Sequence, residues 1–243
     1  MKAKLAIGGL LAAFVALAHY TWIGPVDGPF EVGKTAKIQI SHGHKFPASE
    51  EAINASQVEA FVVTPSGGRV KLDVAAGPNS VGASYAVKEA GLHRIAFVQD
   101  RGVNSRTPKG LRPGGRDKNP DATQASRALR TSVAYVATGG SLVSKAKPVG
   151  LEIELTAELV GGAWHVQLLK QGKPASGVAL DVFLAGAAKV EPVGSTGADG
   201  KVIYRPAGGS KGPAMFTAEV RETPPAGAKY DYTSYGTSLY VNW

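Results

Sequence analysis

Leu151-Glu-Ile-Glu-Leu155 alternates apolar and acidic side chains, and Trp164-His-Val-Gln-Leu-Leu169 takes up the same beat a short turn later. Successive side chains of a β-strand point to opposite faces, so this period marks strands with one face on a core and one toward water. Val178 to Leu184, Lys201-Val-Ile-Tyr204, Met215 to Val220 and Thr237 to Val241 continue the pattern. Gln171-Gly-Lys-Pro and Thr196-Gly-Ala-Asp-Gly200 supply turns between them. About six short strands with regular turns predict an immunoglobulin-like β-sandwich over 149–243.

Working back toward the N-terminus, the same period recurs. Thr35-Ala-Lys-Ile-Gln-Ile40, Val58 to Val63, Arg69 to Val74, Ser84 to Val87 and His93 to Val98 all read as strands, and Thr131 to Thr138 closes the set. This predicts a second sandwich over 19–138 and an all-β chain. Gly139-Gly140 and Pro148 bracket a linker at 139–148. Residues 101–130 break the rhythm with Lys109-Gly-Leu-Arg-Pro-Gly-Gly-Arg116, which predicts a long basic loop. A short helix is expected within it, from Asp121 to Arg130 after Pro120.

The first 18 residues are of another kind. Lys2 and Lys4 precede an uncharged apolar run from Leu5 to Leu17, and Ala16-Leu-Ala18 is a small-x-small cleavage site. These are the parts of a secretory signal peptide, and the run is shorter than the roughly 20 residues that a spanning helix needs. Residues 1–18 are therefore expected to be removed, with a mature chain beginning at His19 in the periplasm. No other stretch reads as a transmembrane segment.

The composition narrows the chemistry. The chain has 243 residues, is 44% hydrophobic and contains no cysteine, so thiolate metal sites and cysteine catalysis are excluded. Residues 101–130 hold eight basic and two acidic side chains, which is the whole basic excess once Lys2 and Lys4 are set aside. No aromatic residue is interleaved with those charges, which argues against nucleic-acid binding. No Gly-x-Ser-x-Gly, phosphate-binding glycine loop or triad spacing is present, so no catalytic residue is assigned.

Five histidines carry the functional signal. A mature terminus at His19 would present an α-amine beside an imidazole, and the two can chelate one ion. A further imidazole completes a three-nitrogen set, a histidine brace, which suits Cu(II) or Ni(II). Ser41-His-Gly-His-Lys-Phe-Pro47 offers that imidazole, because His42 and His44 fall on one face of an extended chain. His19, His42 and His44 are the candidate metal ligands. His93 and His165 lie inside strand patterns and read as structural. Glu50 and Glu51 read as solvated.

Ala18-His-Tyr-Thr-Trp22, Gly33 and Gly43-His-Lys-Phe-Pro47 resemble the pattern of a family of bacterial periplasmic proteins described as periplasmic components of cobalt or nickel uptake systems. Gly172-Lys-Pro, Thr196-Gly-Ala-Asp-Gly-Lys-Val and the Thr233–Val241 ending are similar to that family's Ig-like domain. The resemblance implies a periplasmic location, divalent metal handling, and His19 and His44 as matching positions. Tyr20-Thr21 and Ile23-Gly24-Pro25 depart from the acidic and Leu-Glu-Pro surroundings usual there. The expected function is a Ni, Co or Cu binding protein that delivers its ion to an inner-membrane transporter or a metalloenzyme. The alternatives are a copper-dependent oxidative enzyme acting on polysaccharide, and a non-catalytic adhesion or scaffold protein.

Overall fold

A computed structural model of the protein describes residues 19–24, 29–139, 146–187, 189–207 and 212–242. The expected signal peptide and residues 140–145 of the expected linker lie outside them. The described residues form an all-β protein. The strands of the first half are β1 (Tyr20–Ile23), β2 (Thr35–Gly43), β3 (Val58–Val63), β4 (Arg69–Leu72), β5 (Val74–Ala76), β6 (Val81–Ala86), β7 (Leu92–Thr107), β8 (Gly110–Pro113) and β9 (Gln124–Ala137). Those of the second half are β10 (Ile153–Val160), β11 (Ala163–Lys170), β12 (Lys173–Pro174), β13 (Ala179–Leu184), β14 (Glu191–Ser195), β15 (Lys201–Tyr204), β16 (Pro213–Glu222) and β17 (Tyr232–Asn242).

The two sandwiches share a layer. A nine-stranded sheet runs β14-β13-β16-β17-β9-β7-β3-β4, with β8 hydrogen-bonded to β7. Its middle is a parallel pairing of β17 with β9, in register from Tyr232 opposite Ser126 to Tyr240 opposite Ala134. The last strand of the first half and the last described strand of the second half are thus neighbours. A sheet of β1-β2-β6-β5 covers one face of this layer, and β10-β11-β12 with β15 covers the other.

Alternation along each central strand explains both cores. Phe61, Val133, Tyr135, Phe216 and Leu239 enter the core shared with Ile153, Leu155, Trp164, Val166 and Leu168. Their neighbours Val62, Ala134, Val136, Met215 and Tyr240 enter the core shared with Trp22, Ile23, Ile38 and Ile40. Thr131 to Val136 is consequently buried at every position, as in a strand covered on both faces.

The basic segment is not a loop. β7 and β9 extend past the sandwich as a long antiparallel pair, from Val103 opposite Arg127 to Arg106 opposite Gln124, with β8 folded back along β7. The helix expected at Asp121–Arg130 is likewise overturned, since Gln124 to Arg130 is strand. Ladder partners on both sides, β7 and β17, outweigh local propensity there. The glycines that looked like breakers serve the ladder. Gly102, at φ 63°, occupies the register shift between Asp100 and Val103. Several of the charges are internally paired. Arg116 makes two 2.8 Å bonds to Asp231, and Arg127 pairs with Asp100.

Candidate metal centre

β1 and β2 bring the three predicted histidines together. The strands pair antiparallel with Tyr20 opposite Gly43 and Thr21 opposite His42. His19, one residue before β1, therefore lies across from His44, one residue past β2. The ring centroids of His19 and His44 are 4.0 Å apart, and the His42 ring stacks on His19 at 5.2 Å and 18°. β1 is seated firmly on the central sheet. Ser238 Oγ donates to the Thr21 carbonyl at 2.8 Å, and the Ile23 amide donates to Ser132 Oγ at 3.2 Å. Trp22 and Phe46, one from each strand motif, meet edge to face beneath the site.

Each ring is held by a different partner. Nε2 of His19 lies 2.8 Å from Glu51 Oε1, so its Nε2–H donates to the carboxylate, and Nδ1 makes no hydrogen bond among the described residues. Nδ1 of His44 faces Glu50 Oε2 at 3.5 Å, which turns Nε2 away from the carboxylate. That Nε2 is buried and has no hydrogen-bond partner among the described residues. Glu50 also accepts from the His44 backbone amide, and this bond holds its carboxyl below the ordinary carboxylate range. Gly43 makes room for this arrangement. Its φ is +143°, and a Cβ there would stand 2.6 Å from Glu50 Oε2.

His42 is in a different state. It is buried, and its Nδ1 is 2.8 Å from the Thr21 hydroxyl and 3.5 Å from Arg101 Nη2. Burial first, then the charges of Arg101 and His19, push its pKa down to about 4, so the ring is neutral at pH 7. Arg101 is itself largely buried, and its pKa falls to about 10 through burial and the nearby Arg130. Among the described residues its bonds go to Gln99, Thr21 and His42, not to a carboxylate.

Among the described residues no three His, Asp or Glu side chains are grouped so as to hold a metal ion by themselves. Two imidazole nitrogens, His19 Nδ1 and His44 Nε2, make no hydrogen bond among the described residues. A third nitrogen donor would be the α-amine of residue 19, which is an amide while residues 1–18 are attached.

Of the remaining histidines, His93 is fully buried, with Nε2 2.9 Å from the Glu89 carbonyl and Nδ1 3.2 Å from the Tyr85 hydroxyl. It is structural, as its strand position suggested. His165 lies in β11, opposite Glu158 and Ile203 and far from the cluster in the sheet order. Glu50 and Glu51, which read as solvated, are partners of the cluster. Arg101 gave no signal in the sequence, because it sits amid other basic residues of the extended pair.

The geometry defines a two-sandwich β-protein with a histidine cluster where its first strand meets its second. The chain belongs to the family described as a domain of unknown function, DUF4198, which matches residues 16–222. No curated protein matches the chain. Among solved structures, a DUF4785 family protein from Legionella pneumophila is 10% identical with a TM-score of 0.30, over 81% of this chain and 52% of that one. This chain spans about half the length of that protein. A two-domain fibronectin type III segment of chicken tenascin is 9% identical with a TM-score of 0.23, over 90% and 97% of the two chains. The D0-D1 domain of intimin is 12% identical with a TM-score of 0.23, over 92% and 97%. No helix among the described residues is long and apolar enough to cross a membrane.

Proposed function

We propose that this protein binds a divalent transition-metal ion, Ni(II), Co(II) or Cu(II), in the periplasm and hands it to an inner-membrane transporter or a metalloenzyme. The observation that carries the reading is the buried, unpartnered Nε2 of His44 beside the His19 ring. A buried imidazole nitrogen without a hydrogen bond costs about 1–3 kcal/mol, and a bound ion would recover it. Signal-peptide cleavage before His19 supplies the remaining donor. The released amine and His19 Nδ1 then form one chelate ring, and His44 Nε2 closes the set. Glu51 and Glu50 orient the two rings from outside, the usual place of a carboxylate in a histidine metal site. His42 acts as a neutral floor for the His19 ring, and Arg101 and Thr21 keep it there. The nitrogen donors favour Cu(II) and Ni(II) over Mg or Ca. The resemblance to cobalt and nickel uptake components points to delivery as the role.

The test is a titration of the mature protein, its first residue checked by intact mass, against the same protein carrying one extra residue before His19. One-to-one binding that the extension abolishes supports the amine site. Equal binding by both would remove it.

A further inference from the structure

A cavity of about 250 Å³ lies beside the histidine cluster, roofed by β1 and floored by β13, β16, β17 and β9. Its occupant can be argued from its walls. On the floor, Asp181 stands opposite Thr217 on the neighbouring strand, and Glu219, two residues further along, stands opposite Gly236, which stands opposite Arg130. Directly opposed residues share a face of a sheet, so these side chains point to the same side. Gly236 lets Arg130 lie across the floor, since a Cβ there would stand 2.8 Å from Arg130 Cδ. The roof contributes Tyr20, whose ring packs on Phe183 at 4.8 Å. Tyr20, Asp181 and Glu219 line the same cavity.

Two of the charged groups are incompletely satisfied. Arg130 spends Nη1 on the Leu129 and Ser234 carbonyls and the Ser234 hydroxyl. Its Nη2 is 3.8 Å from Glu219, beyond hydrogen-bond reach, although the side chain is only 19% exposed. The Asp181 carboxylate has no hydrogen bond or ion pair among the described residues, and burial raises its pKa. A free anion would meet Asp181 and Glu219, and a free cation would meet Arg130. A small molecule with a carboxylate at one end and an ammonium at the other meets neither conflict, and both contacts would be charge-assisted.

We propose that this cavity is a binding site for a small zwitterion of the α-amino acid class, its carboxylate on Arg130 and its ammonium on Asp181. Tyr20 closes the roof over the ligand, and Thr217 offers a hydroxyl between the two ends. The site does not depend on a metal ion, although His19 forms part of its wall.

Isothermal titration of the mature protein in the presence of a chelator tests this, using the common amino acids one by one, with ethylammonium and propionate as single-charge controls. At least one amino acid should bind about tenfold or more tightly than either control. Asp181→Asn should remove most of that binding while leaving thermal unfolding and the metal titration unchanged. Arg130 also anchors Ser234, so Arg130→Lys is read only after its fold is verified, and it should shift the loss to the carboxylate end. Absence of binding by every amino acid would overturn the proposal. So would propionate binding as tightly as the best amino acid, or an Asp181→Asn variant that binds as the parent does. None of these outcomes bears on the metal reading, which the chelator-free titration reports separately.

Discussion

The ring of His19 lies 4.0 Å from that of His44, although 25 positions separate the two residues and neither belongs to a strand. The β1–β2 register alone sets this approach, because Tyr20 opposite Gly43 brings the flanking residues face to face. All three nitrogen donors of the proposed centre, carried by His19 and His44, thus depend on one backbone ladder.

Replacing His44 with alanine should abolish tight metal binding, whereas His165→Ala should leave it within about twofold, since a ligand is lost in one case and a remote strand residue in the other. Titration of Ni(II) and Cu(II) into both variants checks this. Equal losses would show that the cluster is not the site.

Glu51 holds the Nε2 side of His19. Glu51→Gln keeps the shape but weakens the acceptor, and loss of such an outer partner typically costs about 10–100-fold in metal affinity. Unfolding should be little changed, because the pair is on the surface, where ion pairs contribute about 0–1 kcal/mol.

Gly43→Ala should destabilise the protein by about 1–3 kcal/mol. The substitution combines a disfavoured φ of +143° with a Cβ contact to Glu50 at 2.6 Å. The same clash displaces Glu50 from His44, so metal affinity should fall together with thermal stability. Denaturation and metal titration of one preparation test both effects.

Leu239 is fully buried on β17, in the core formed with the β10–β11 sheet. Leu239→Ala should cost about 2–5 kcal/mol. Because β17 pairs with β9 of the first half, the two halves should unfold in one transition. Far-ultraviolet circular dichroism and tryptophan fluorescence should give coincident curves. Two separated transitions would show that the shared sheet does not couple them.

Asp231 accepts hydrogen bonds from Arg116 and from the Ala125 amide, and the Arg116 bonds are the main cause of its lowered pKa. A carboxylate whose pKa is lower in the folded state stabilises the fold above its unfolded pKa, near 4. It loses that contribution as the pH falls through the folded value. Stability should therefore drop below about pH 4, and Asp231→Asn should make the drop shallower. Melting temperatures from pH 7 to pH 2 measure it.

Much of this was legible in the residues. Trp164–Leu169 lies within β11, and Leu151–Leu155 runs into β10 at Ile153, although Glu154 there is buried and accepts from the Val149 and Gly150 amides; His19, His42 and His44 do meet. The shared layer was not legible, because a parallel pairing between residues more than a hundred positions apart leaves no local trace. Gly102, Pro113 and Pro120 read as loop punctuation, yet they sit at a register shift, a strand end and a turn of an extended ladder. Glu51 and Arg101 could not be assigned, since which surface charge faces a ring depends on tertiary approach.

The placement of β17 has a consequence for the order of events in the cell. It fills the gap between β16 and β9, yet it is the last described strand to leave the ribosome. Until it arrives, β9 presents an open edge, and the two cores lack Tyr240 on one side and Leu239 and Val241 on the other. The topology thus makes completion of both cores wait for the last described strand.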